Sequence, residues 1–188
     1  PNLAWMVLSL EKLGADEVLI TGGGALKSPI GDWFERERGR FRTPVTLRFH
    51  EEFREPSQIV SLIRVVRHEC LEDSVLLLSP DESLPEDLRG LRDAIRLYLH
   101  SPVIGVRKLT PRLARAFVSI GERNRITRFS SNGQGLDNDW EPAGVYYFPE
   151  RFVFDSLPAF MKSSFVSQPA FESFLAWSVR NFKVYAHV

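Results

Sequence analysis

From Leu3 to Val106 the hydrophobic period switches repeatedly between that of a helix and that of a strand, and this alternation constrains the fold more than any other feature. Leu3, Met6, Val7 and Leu10 recur at helical spacing, Gly14 breaks the pattern, and Val18-Leu19-Ile20-Thr21 reads as a short buried strand. After Gly22-Gly23-Gly24 a second helical stretch carries Leu26, Ile30, Trp33 and Phe34. Val45-Thr46-Leu47-Arg48-Phe49 then alternates as a strand, with Pro44 at its entrance, where a missing N–H is tolerated. Ile59, Leu62, Ile63 and Val66 share one helical face and predict a third helix over Ser57 to Glu69. The unbroken apolar run Val75-Leu76-Leu77-Leu78 predicts a central parallel strand buried on both faces. Glu86 to Leu99 follows as an amphipathic helix and Val103 to Val106 as another strand. Strands separated by helices are joined by right-handed crossovers, so the pattern predicts an α/β fold with these four strands in one mostly parallel, mixed sheet flanked by helices.

Past Thr110 the rhythm changes. Ala116 to Ile120 and Arg125 to Phe129 are strand-like runs separated by Gly121-Glu122-Arg123-Asn124, which predicts a β-hairpin inserted in the second half. A polar loop from Ser130 to Asp139 leads to the apolar run Gly144 to Phe148, and the chain finishes with a helix near Phe171 to Val179 and a strand at Phe182 to Val188. With no internal repeat and no long linker, residues 1–188 are expected to form a single domain. The first residues lack a starting methionine and the last lie in a strand pattern, so a missing segment is expected at each end.

Charge and cysteine content exclude several function classes. Lys and Arg total 24 against 24 Asp and Glu, so no net field draws the chain to a polyanion, and no nucleic-acid partner is expected. No window holds the ~20 uninterrupted apolar residues of a membrane helix. A lone cysteine, Cys70, cannot form an intrachain disulfide, which fits a reducing, cytoplasmic setting.

Candidate chemical motifs are sparse. His50, His68, His100 and His187 lie too far apart for zinc-ligand spacing. Cys70 reads as a packing residue, and Ser79 lacks the glycine-flanked elbow of a hydroxyl nucleophile. Gly22-Gly23-Gly24 could bring backbone N–H groups to a phosphate, but it follows no phosphate-loop spacing and reads rather as a plain strand-to-helix turn. Asp81 and Glu82 stand just beyond the carboxyl end of the Val75 to Leu78 strand, where open α/β sheets bind ligands. A carboxylate there can hold Mg²⁺ against phosphate oxygens; the alternative is a polar turn that caps the next helix. Asp137-Asn138-Asp139 has the Asp-x-Asp pattern of a metal-dependent glycosyltransferase, but its place in the loop after the hairpin reads as coincidence.

Taken in order, several segments resemble the sugar-nucleotide pyrophosphorylases, a nucleotidyltransferase family with a nucleotide-binding α/β sheet. Gly14-Ala15-Asp16-Glu17-Val18-Leu19-Ile20 is similar to that family's Gly-x-Asp-Glu segment, Ile30-Gly31-Asp32-Trp33-Phe34 to a helix end, and Val45 to Glu52 to a strand leading into a glutamate region. Val75 to Leu78 matches the strand before the family's Gly-Asp metal site. Gly121 to Phe129 resembles its hairpin, Ala143-Gly144-Val145-Tyr146-Tyr147-Phe148 its Asn-Ala-Gly strand, and Phe182 to Val188 the strand before its closing Asp-x-Gly-Thr-Pro. The resemblance implies Asp81 as a metal ligand and Gly144 and Glu52 as nucleotide- or sugar-binding positions.

The departures bear on function. The family's glycine-rich triphosphate signature and its activating lysine would precede Pro1, and its second metal aspartate would follow Val188. Its base-contacting loop is replaced by Glu55-Pro56-Ser57-Gln58-Ile59-Val60, its Gly-Asp by Ser79-Pro80-Asp81, its sugar-binding Glu-Lys-Pro by Ser130-Ser131-Asn132, and its Asn by Pro142. A φ-restricted proline cannot reproduce a close backbone approach made by glycine. The resemblance thus implies a degenerate, pseudoenzyme-like domain that binds a nucleotide or nucleotide sugar as a sensor, scaffold or regulatory subunit, with a protein partner or a second copy of itself. The alternative is an active, Mg²⁺-dependent sugar 1-phosphate nucleotidyltransferase whose catalytic loop lies outside this chain.

Overall fold

The computed structural model describes residues 3–50, 58–69, 72–80, 88–109, 116–130, 140–163 and 170–188. These form two compact units, Pro1–Ser61 and Leu62–Val188.

In the first unit, helix α1 (Leu3–Leu13) is followed by β1 (Val18–Gly23), a tight helical turn (Gly24–Leu26), α2 (Lys27–Glu37) and β2 (Val45–His50). Gly14, at φ +91°, ends α1 with its N–H on the Leu10 and Glu11 carbonyls, a left-handed stop that favours glycine. Ala4, Met6 and Val7 are the buried apolar residues of α1, and Val18 is buried at the start of β1. β1 and β2 pair in parallel from Val18↔Val45 to Gly23↔His50. Trp33 of α2 packs on Phe41, ring centroids 6.0 Å apart. Helix α3 (Gln58–His68), of which Gln58 to Ser61 fall in this unit and Leu62 to His68 in the second, lies within one residue of its expected span at each end and buries Ile59, Leu62, Val65 and Val66.

The second unit is built on a six-stranded sheet. Its strands are β3 (Val75–Leu78), β4 (Val103–Lys108), β5 (Phe117–Ile120), β6 (Ile126–Ser130), β7 (Trp140–Phe148) and β8 (Tyr185–His187). The order is β6-β5-β7-β4-β8, with β3 on β7 beside β5. Helix α4 (Arg89–Leu97) precedes β4, and α5 (Phe152–Ser163) and α6 (Phe171–Asn181) lie between β7 and β8. The start expected for α4, Glu86, lies outside the described residues.

The α/β class holds, with three corrections. First, the four strands expected in one sheet divide: β1 and β2 pair with each other, while β3 and β4 belong to the six-stranded sheet. Secondly, pairing in that sheet is mainly antiparallel, because β7 enters between β3 and β4 and runs against both; among its described strands only β4–β8 is parallel. Thirdly, β3 is half-buried at every position rather than buried on both faces, since it pairs with β7 alone among the described strands. The hairpin is present as β5 and β6, turned by Arg123 and Asn124 at φ +53° and +59°.

α5 was not expected from the pattern. Val153, Ser156, Leu157 and Phe160 are buried at helical spacing, but Pro158 sits inside the helix and interrupts the signal. α6 buries Phe171, Phe174, Leu175 and Val179. Phe174 is the hub of an aromatic core, 5.5 Å from Phe160, 6.0 Å from Phe148 and 6.3 Å from Trp177.

Candidate nucleotide site

β3, β4 and β8 all run in one direction, so their carboxyl ends fall on one edge of the sheet, where β7 begins. The crevice outside the carboxyl ends of parallel strands is where α/β sheets take ligands.

The backbone at this edge is shaped by glycine. Between the pairs Ile104↔Tyr146 and Val106↔Pro142, β7 advances four residues while β4 advances two, so β7 bulges over Ala143, Gly144 and Val145. Gly144 takes φ +72°, where a Cβ is costly, and its carbonyl accepts the Ser79 N–H at 2.8 Å. Opposite the bulge, a Cβ on Gly105 would meet Val145 Cβ at 3.1 Å and its carbonyl oxygen at 3.4 Å. Gly144, the glycine singled out by resemblance, thus fastens the end of β3 to the bulge, and Ser79 beside it is buried.

Charged side chains follow at the end of β4. Arg107 Nε donates to Glu141 Oε1 at 2.8 Å, and Glu141 is 3% exposed, so the pair brings a carboxylate into the sheet edge only because the guanidinium meets it. Lys108 Nζ lies 4.3 Å from the centre of the Trp140 ring, a cation–π contact. On β8, His187 pairs with Gly105 and packs against the first turn of α4, where a Cβ on Gly90 would come within 2.9 Å of the imidazole Cε1. Burial lowers the pKa of His187 below its ordinary 6.5, holding the ring neutral.

Of the residues picked from the sequence, Gly144 lies at this edge. Asp81 and Glu52 lie outside the described residues, as do Cys70 and Asp137 to Asp139. Gly22 and Gly23 end β1, Gly24 opens the tight turn after it and Lys27 begins α2, all in the first unit. No group of three or more His, Cys, Asp or Glu side chains converges among the described residues. Sequence reasoning missed Arg107, Lys108, Trp140, Glu141 and His187. The signal was there in the first four: charge and an aromatic ring immediately flank the apolar strand runs at the end of β4 and the start of β7.

No protein-family model and no curated protein matches the chain by sequence. Solved structures do match. The inositol-1-phosphate CTP transferase from T. maritima superposes with a TM-score of 0.71 at 15% identity, over 97% of this chain and 70% of that one. UDP-glucose pyrophosphorylase complexed with UDP-glucose superposes with a TM-score of 0.72 at 10% identity, over 100% of this chain and 78% of that one. This chain has the fold of these two proteins.

Proposed function

We propose that this chain binds a nucleotide or nucleotide sugar at the carboxyl ends of β3, β4 and β8 without catalysing nucleotidyl transfer, and that residues 1–188 act as one ligand-sensing or scaffolding domain. The observation that carries this reading is the state of that edge. The Ser79 N–H is already bonded to Gly144, Arg107 to Glu141, and Lys108 lies on Trp140. Phosphoryl transfer needs donors and cations arranged toward the reacting phosphate before reaction, and groups committed to the protein stabilise a fold rather than a transition state. Binding is less demanding. The bulge and the strand ends bring backbone, the Trp140 ring and the neutral His187 imidazole to one edge of the sheet, groups that suit a hydroxyl-rich ligand.

The test is two-part. UDP-glucose and CTP are titrated by calorimetry, and pyrophosphate release is followed with each common NTP, several sugar 1-phosphates and inositol 1-phosphate in the presence of Mg²⁺. Saturable binding with no pyrophosphate is the expected result. Pyrophosphate release that is lost on Asp81→Asn would instead establish the active reading, which the likeness to two transferases favours, with Asp81 holding the metal.

A further inference from the structure

The second unit carries a cleft of about 490 Å³ at the other end of its sheet. Ser74 precedes β3, Leu99 and His100 precede β4, and Tyr147 and Pro149 end β7, so the cleft opens where the parallel strands begin, away from the nucleotide edge. The first turns of α5 form its far wall.

The walls combine apolar surface with surplus negative charge. Leu99 and Phe182 are large apolar residues that remain 55% and 39% exposed, and both line the cleft. Phe152 stands edge-on to Phe182, ring centroids 4.9 Å apart. Three carboxylates, Glu72, Glu150 and Asp155, stand in or beside the cleft against one guanidinium, that of Arg151. Glu72 takes this guanidinium at 2.6 Å, whereas Asp155 is 3.5 Å from it, at the limit of a hydrogen bond. With His100, which also lines the cleft, counted as neutral, Glu150 and Asp155 leave the described part of the cleft net negative. Ser156 also lines it, and its buried Oγ has no hydrogen-bond partner among the described residues.

The rim is preformed. Arg151 takes φ +58°, unusual for a residue with a side chain, and Glu72 holds it at two points, through its backbone carbonyl to the Arg151 N–H and through its carboxylate to the guanidinium.

We propose that this cleft is a second ligand site, for a small organic cation with an apolar body, whose ammonium group is held by Asp155 and Glu150 and whose body lies against Phe182 and Leu99. Aromatic faces and carboxylates both attract such a group. They repel phosphate, so the ligand of this cleft is chemically distinct from that of the nucleotide edge and the two can be bound together.

A charge-opposed pair of probes tests this. 2-Phenylethylammonium and 3-phenylpropanoate share a ring and a two-carbon arm and differ in the sign of the terminal group. Each is titrated by ligand-observed NMR against the wild-type chain, Asp155→Asn and Phe182→Ala. Both replaced residues are well exposed, and a thermal melt verifies that each variant is folded. The ammonium probe is expected to saturate, with Asp155→Asn and Phe182→Ala each weakening it about tenfold and the carboxylate probe at least tenfold weaker. Equal or tighter binding of the carboxylate, an ammonium affinity unchanged in both variants, or no saturation by either probe below about 10 mM would overturn the proposal. UDP-glucose titrated into the same variants keeps the two sites apart: its affinity is expected not to change in Asp155→Asn, and failure of UDP-glucose to bind at all would count against the nucleotide edge and leave the cleft result standing.

Discussion

Replacing Gly144 by alanine puts a Cβ on a backbone held at φ +72°, and Gly144→Ala is expected to destabilise the chain by about 1–2 kcal/mol, read as a lower denaturant midpoint with an unchanged slope. The same change is expected to weaken UDP-glucose binding, because relaxing the bulge moves the Ser79 contact. Arg107→Ala leaves the buried Glu141 carboxylate without its donor and is expected to cost roughly 1–3 kcal/mol; a midpoint within error of wild type would show that water reaches Glu141. His187 makes stability depend on pH in a set direction. Its folded pKa lies below 6.5, so well above that pH both folded and unfolded states are neutral and its contribution is intact. As pH falls below 6.5 the unfolded chain takes up the proton first, and stability is lost until the folded pKa is passed. Comparing denaturant midpoints at about pH 7.5 and about pH 5.5, wild type is expected to lose more than His187→Gln. At this scale the sequence showed Gly144 through resemblance, but not why it must be glycine. A bulge is a property of two strands in register, and β4 and β7 lie far apart along the chain.

The elements whose partners are local were the most legible. α1, α3, the β5–β6 hairpin and α6 follow from spacing and turn residues alone. β3 was placed correctly, yet its apolar run suggested burial on both faces, and the structure leaves each of Val75 to Leu78 half-buried. Leu77→Ala is accordingly expected to cost less than the ~2–5 kcal/mol of a fully buried leucine, closer to about 1–2 kcal/mol. A loss at the top of the larger range would mean that another strand or chain covers β3. α5 was missed because Pro158 breaks the helical pattern while tertiary packing of Val153, Leu157 and Phe160 holds the helix. β4 ran two residues further than expected and β7 began four earlier, and those extensions carry Arg107, Lys108, Trp140 and Glu141.

For the molecule as a whole, alternation of helix and strand was enough to identify the α/β class but not the strand order. A long-range insertion, β7 between β3 and β4, leaves no local trace, and it converts an expected parallel neighbourhood into an antiparallel one. That insertion also creates the two ends of the sheet on which both functional readings rest: the carboxyl edge with Gly144, and the opposite cleft with Arg151. The central claim, that a nucleotide is bound at the carboxyl edge, is tested most directly by amide NMR shift mapping with UDP-glucose. The expected result is a saturable set of shifts centred on Ser79, Val106 to Lys108, Glu141 to Gly144 and His187, with Arg151 to Ala159 unmoved. Shifts concentrated at Arg151 to Ala159, or none at the carboxyl edge at saturating ligand, would contradict it.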